Sequence, residues 1–246
     1  MSFSNWLKHN QLVMMGAVLG GSLVLATVLA ANSLKHLRPN TLDVTGAAEQ
    51  RVTSDRVIWT LEPVGRGKDS KTALAMLNKN REAVKAYFLK QGLAANSLQA
   101  GVVNQVTFYE RDAKGYETRV IDTIEFRQPL TVTSSAVDKV TTLSTGVSSL
   151  LGQGGDVSVQ PPQYFYTPLN TLKVKLLSAA TGNAKARAQA VAQSAGNHVG
   201  VLTSASTGVF QITPADSTEV SDWGVNDTST VAKKVTAVVN ASFELE

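Results

Sequence analysis

The sequence predicts an α+β protein: an N-terminal transmembrane helix, then a domain built from two β-α-β-β units. Three observations lead there. Residues 12–31 carry no charged side chain, and about 20 such residues span a bilayer as a helix. Val57, Trp59 and Leu61 alternate with Ile58, Thr60 and Glu62, the period of a half-buried strand. Two long segments, 70–90 and 168–195, have helix start and stop signals and are each followed by strand-like sequence.

The membrane segment sets the first boundaries: 1–11 as a cytoplasmic or interfacial segment, 12–31 as the span, 32–40 as a polar linker containing Pro39, and 41–246 as the folded domain. Lys8 and His9 precede the span, Lys35, His36 and Arg38 follow it, and Trp6 sits at interface depth. A cleaved signal peptide is the alternative, with small-residue cleavage positions near Ala30 and Ala31. The uncharged run exceeds the roughly 7–15 residues of a usual signal core, which favours a retained anchor. Flanking positive charges are balanced and do not set the orientation. Gly16 and Gly20 form a G-x-x-x-G, a face on which two helices can approach closely in lipid.

Along the domain, 41–49 and 57–61 read as strands, with Gly65 and Gly67 closing the second. Ser70 is positioned to cap the helix 70–90, whose Leu77, Val84 and Phe88 share a face; Gly92 stops it. Strands over 99–110 and 116–133 are joined by the turn Asp112-Ala113-Lys114-Gly115. Ser135 and Asp138 suggest a helix start, and that helix runs to Gly152. One strand is expected over 156–166. Thr167-Pro168 opens the helix 168–195, in which Gly182 is a weak point and Ala180, Ala184, Ala188 and Ala192 form a flat stripe for close packing on a sheet. Strands over 199–212 and 231–245 close the chain around a polar loop, 214–230. The order suggests an internal duplication of 50–133 and 155–246.

Composition narrows the function. With 23 Lys+Arg against 19 Asp+Glu the net charge is only +4, and the basic residues are scattered, without the stripe of a nucleic-acid binder. There is no cysteine and there are three histidines, so disulfides and thiolate chemistry are excluded and a His-based dyad has little to draw on. Charged residues make up 17%, below the roughly 25% of ordinary soluble domains, which suits subunit interfaces. Gly152-Gln153-Gly154-Gly155 lies between a helix and a strand, the reverse of a phosphate loop. Asp122 and Glu125, three apart on a strand, face opposite sides. His198 is expected to be structural. No catalytic, cofactor or metal residues are assigned, and the chain is not expected to be an enzyme.

The loop 214–230 holds Asp216, Glu219, Asp222, Asn226 and Asp227 around a single aromatic, Trp223. Such an aromatic is either packed beneath the loop or anchors a partner. Trp223, Asp222 and Asp227 are taken, with Gly16 and Gly20, as candidate oligomer contacts.

Three stretches resemble the SIMPL-domain (DUF541) family, in a membrane-anchored subgroup. Leu42-Asp43-Val44-Thr45-Gly46-Ala47-Ala48-Glu49 is similar to the family's opening V-x-G-x-G/A strand, with Ser54-Asp55 standing where Pro-Asp is usual. Ala184 to Ala192, followed by Gly196 and Gly200, resembles its Ala/Arg-rich helix. Gly208 to Pro214 with Val220 to Asp227 resembles the anchored subgroup. The resemblance implies an α+β fold, a bacterial inner-membrane anchor with the domain in the periplasm, ring-like or barrel-like homo-oligomers in some members, and no catalytic residues. The expected role is thus a non-enzymatic, homo-oligomeric envelope scaffold. The alternative is a periplasmic binding module for a hydrophobic ligand or an envelope protein. The partners are the lipid bilayer, further copies of the chain and an envelope protein, with no nucleic acid.

Overall fold

The computed structural model describes residues 15, 16, 18–27, 40–93, 97–151 and 155–246. Residues 15, 16 and 18–27 are helical. Among the described residues no helix is long and apolar enough to cross a membrane; the remaining positions of the expected span 12–31 lie outside them. The chain divides into two units, Ala47–Asn183 with Thr207–Val239, and the smaller set up to Gly46, Ala184–Ser206 and Asn240–Glu246.

In the larger unit, β2 (Arg56–Gly67) is the central strand of a seven-stranded antiparallel sheet. Its alternation buries Val57, Trp59 and Leu61 completely. One flank is taken by β5 (Glu117–Arg127) and β6 (Leu130–Ser134), with Val64 opposite Arg127 and Leu61 opposite Leu130. The other flank is taken by β7 (Val157–Val159) and β8 (Gln163–Phe165). Beyond β5 and β6 lie β4 (Asn104–Arg111) and β3 (Leu98–Ala100) respectively.

Several strands expected as single pieces are therefore pairs of shorter ones. The expected strand 116–133 breaks at Gln128-Pro129, because Pro129 has no N–H to give to the ladder; its carbonyl instead accepts from Gly101 N at 2.8 Å. The expected strand 156–166 breaks at Pro161-Pro162 for the same reason. The helix expected over 135–152 is interrupted at Gly146, giving α2 (Val137–Thr145) and α3 (Ser148–Leu151). Gly152, Gln153 and Gly154 lie outside the described residues.

α1 (Ser70–Lys90) covers one face of this sheet with Ala73, Leu77, Asn80, Val84 and Phe88, and Phe88 meets Trp59 edge to face at 5.5 Å. The helix is capped not by Ser70 but by Asp69, whose carboxylate accepts from Thr72 N at 2.9 Å. Likewise Ala136, not Ser135, is the cap residue of α2, with Ser134 Oγ accepting its N–H at 3.0 Å. Gly92, at φ +71, ends the α1 turn in a conformation that favours glycine. Gly65 and Gly67 are not merely strand closers. They let the backbone of α1 lie against β2: a Cβ on Gly65 would overlap the Ala73 carbonyl oxygen and Leu77 N, and one on Gly67 would lie 2.7 Å from Ala73 N.

The second sheet has the order β1–β11–β10, with β9 also on β11. Here β1 is Thr41–Thr53, β9 Val199–Thr207, β10 Gln211–Pro214 and β11 Ala232–Leu245. β7 and β8, which open the segment 155–246, pair with β2, whereas β11 pairs with β1. On α4 (Leu169–Ser194), Leu172 and Leu176 share a core with Val52, Ile212, Val235 and Ala237. The alanine stripe continues that face: Ala180, Ala184 and Ala188 have no exposure, and Gly182 does not interrupt the helix. With no space left at Ala188, Ala188→Leu should cost about 1–3 kcal/mol by overpacking, seen as a lower urea midpoint; an unchanged midpoint would show that the stripe can give way.

The outer edge of β1 is closed by α4 side chains. Asn183 Oδ1 accepts from Ala47 N at 3.2 Å, and Arg187 donates to the Thr45 carbonyl at 3.1 Å. Arg187 makes this bond while remaining exposed, and Lys185 beside it is exposed as well.

Candidate functional site

Three regions could carry function, all within the larger unit. The first is the loop 214–230. Its sequence shows no element of its own, yet it is tied to the edge of β10 that β11 leaves free. Ile212 N donates to the Val225 carbonyl and Asp227 N to the Ile212 carbonyl, each at 2.8 Å, and Ile212 bridges Asn226 in parallel. The buried Gln211 side chain adds two bonds, to the Ser221 carbonyl at 2.7 Å and from Val225 N at 2.9 Å. Gly224, at φ +83, allows the turn between them.

Asp227 and Lys233 fasten the loop from below. The two side chains are 8% and 2% exposed and lie 3.0 Å apart. Lys233 Nζ also donates to the Asp227 carbonyl at 2.6 Å, while Ser229 N and Ser229 Oγ donate to Asp227 Oδ1, and Thr230 Oγ1 to Oδ2. Burial acts to raise the Asp227 pKa, but the hydrogen bonds from Thr230, Ser229 and Lys233 outweigh it and hold the carboxyl far below its ordinary range. Asp227 is therefore an internal tie rather than a surface group. The other loop acids do not converge with it: Asp216 meets Arg51 at 3.0 Å with both side chains exposed, and Asp222 is exposed. Trp223 is 94% exposed, so it is not packed beneath the loop, and Val220 beside it is 77% exposed. Among the described residues nothing lies within 4 Å of a Cβ placed on Gly16 or Gly20.

The second region is an ionic cluster on the sheet face opposite α1. Glu125, 2% exposed, accepts from Arg66 at 2.6 Å and from Arg127; Arg66 also pairs with Asp156, and Arg127 lies 3.6 Å from Glu62. Burial tends to raise the Glu125 pKa, and the hydrogen bonds from Arg127 and Arg66 reverse it, so the carboxylate stays ionised. A carboxylate locked between two guanidiniums accepts hydrogen bonds but has no proton to give. Asp122, expected on the opposite side from Glu125, lines the same groove because a register shift falls at its position, but it pairs with Lys68 at 3.1 Å and not with the cluster. The cluster borders an open groove of about 840 Å³ lined also by Phe108, Tyr109 and Arg111. Neighbouring residues in sequence do not announce it, because its members come from β2, β5 and the approach to β7.

The third region is the β4–β5 hairpin. The turn is as expected: Asp112 Oδ1 accepts from Lys114 N and Tyr116 N, and Gly115 takes φ +84. The ribbon exposes Val106, opposite Glu125, and, beyond the part backed by β2, Phe108, Tyr109, Tyr116, Val120 and Ile121, each by 41% or more. Alternation in sequence does not reveal this exposure; the register shows where β2 stops backing the ribbon. His198, by contrast, is structural through its backbone, exchanging bonds with Glu246 at 2.7 and 2.9 Å.

Antiparallel sheets with helices on their faces place the chain in the α+β class. The chain belongs to the SIMPL family, described as "Protein of unknown function (DUF541)", which it matches over residues 42–243. No curated protein matches the sequence. Among solved structures it is similar to the de novo designed protein Foldit4, at 15% identity and TM-score 0.19 over 43% of this chain and 93% of that one. It is also similar to a protein from methicillin-resistant Staphylococcus aureus described as an aminohydrolase, at 14% identity and TM-score 0.23 over 52% of this chain and 32% of that one. Likenesses this distant carry no functional argument.

Proposed function

We propose that this chain is a bacterial inner-membrane protein of a membrane-anchored SIMPL subgroup, whose periplasmic domain assembles with further copies into a non-enzymatic scaffold or ring. The observation that carries the reading is Trp223, almost wholly exposed on a loop that buried hydrogen bonds hold in place. Ordering a loop to present an indole to water costs free energy that a protein contact returns, and exposed aromatics are favoured anchors of such contacts. The anchor is supported by the uncharged run 12–31 and by the exposure of Val18, Leu19, Leu23 and Val24, at 62–70%. Tethering on a short linker raises the local concentration of domains, so weak lateral contacts suffice. A hydrophobic ligand between α1 and its sheet is less well supported, because Gly65 and Gly67 already place backbone against backbone there.

The test is a native mass measurement on the full chain extracted from the membrane fraction in mild detergent, after confirming that protease added to intact spheroplasts digests the domain. An oligomer is expected, with Trp223→Ala lowering its mass or its stability to dilution. A monomer, or a protease-resistant domain, would overturn the proposal.

A further inference from the structure

We infer that the outer edge of β4 is a docking strand for a second copy of this chain, pairing antiparallel with the same strand about a twofold axis. The inference rests on the assembly proposed above and names the surface that makes it. β4 is the last strand of its sheet. Exposed edges are ordinarily blunted by Pro, Lys, a covering side chain or a short length. β1 is treated in this way by Asn183 and Arg187. β4 is not: it has no Pro, its two charged residues, Glu110 and Arg111, stand together at its far end so that 104–109 carries no charge, and among the described residues no side chain bonds to the backbone along its outer edge. Its register irregularities fall beyond Phe108, so 104–108 is a regular template. From Phe108 onward, where β2 no longer backs β5, the ribbon is two-stranded; such a ribbon is marginal in water without a third strand, and a second copy supplies one.

The sequence of β4 is compatible with itself in this arrangement. A twofold axis perpendicular to the sheet keeps the same face up in both copies, so residues of equal parity meet. Centred on Thr107, it sets Thr107 against Thr107, Val106 against Phe108 twice, and Asn104 against Glu110. Apolar side chains then meet apolar ones, which favours the pair. Glu110 of the second copy approaches Arg127, the residue opposite Asn104 on β5. No like charges oppose one another. Such an interface is isologous: each edge is used up by its own counterpart.

The absence of cysteine in the natural chain makes the test direct. Thr107→Cys in the full chain, in detergent or native membranes, should oxidise to a disulfide-linked dimer, since facing strand positions lie within disulfide reach. Lys114→Cys, on the same hairpin but at its tip, should not, because the two tips end up roughly 45 Å apart. Phe108→Lys should lower the native mass while leaving the circular dichroism spectrum unchanged. If the chain is oligomeric but Thr107→Cys gives no dimer and Phe108→Lys no loss of mass, the β4 contact is wrong and the scaffold stands. If the native mass is that of a monomer, both fall.

Discussion

Gly65→Ala should abolish cooperative folding of the larger unit, or cost upwards of about 3 kcal/mol, the top of the usual range for overpacking. The added methyl would overlap the Ala73 carbonyl oxygen and Leu77 N. Both belong to helix backbone, and both residues are fully buried, so no rotamer change makes room and α1 must move off β2 as a body. That movement would open the contact of Trp59 with Phe88 and the bond from Asn80 Nδ2 to the Val64 carbonyl, 2.6 Å long. Since whole domains are stable by only about 5–15 kcal/mol, urea unfolding should show a transition that is lost or strongly shifted. Gly182→Ala is the counterpart. Gly182 lies in a helix interior with open space around it, and alanine there should stabilise by roughly 0.5–1 kcal/mol. Equal midpoints for wild type and Gly65→Ala would contradict the close approach of helix and strand.

Lys233→Met should be nearly as damaging. It leaves the Asp227 carboxylate buried without its cation, a situation that typically costs about 3–5 kcal/mol. Asp227→Leu combined with Lys233→Met removes both charges and should recover most of the loss, whereas two independent surface effects would simply add. The same pair predicts acid sensitivity. The folded state holds the Asp227 pKa below its unfolded value near 3.8. Its contribution is therefore complete above that pH and declines as the pH falls through the lower, folded value. Urea midpoints followed downward from pH 5 should fall more steeply for the wild type than for the double variant. Parallel pH profiles would show that the pair does not hold the loop.

Much of the helical framework was legible because it rests on local signals. The face Leu77, Val84, Phe88, the stripe Ala180 to Ala192 and the turn at Asp112 to Gly115 each follow from spacing within a few residues. What escaped was set by distant partners. The strand breaks at Pro129 and at Pro161-Pro162 look tolerable until the ladder they interrupt is known. Asp69 and Ser70 are both plausible caps, and one residue decides which carboxylate or hydroxyl reaches Thr72. From sequence Asp227 is one more loop acid and so a candidate oligomer contact, because Lys233 beneath it is not visible there. The sequence leaves Trp223 open between burial and exposure, because the bonds from Gln211 that hold its loop are equally hidden. The exposure of the hairpin's apolar residues is hidden for a related reason, since alternation reports a pleat but not where the neighbouring strand stops.

The two bonds that Asn183 and Arg187 make to β1 have a consequence for growth. A sheet with two open edges can recruit copies without limit and becomes a fibre. Here one margin of the second sheet is stoppered from within its own chain, so strand addition at that margin first requires α4 to let go. The sheet that carries β1 can then add strands only at its opposite margin, so growth through that sheet runs in one direction.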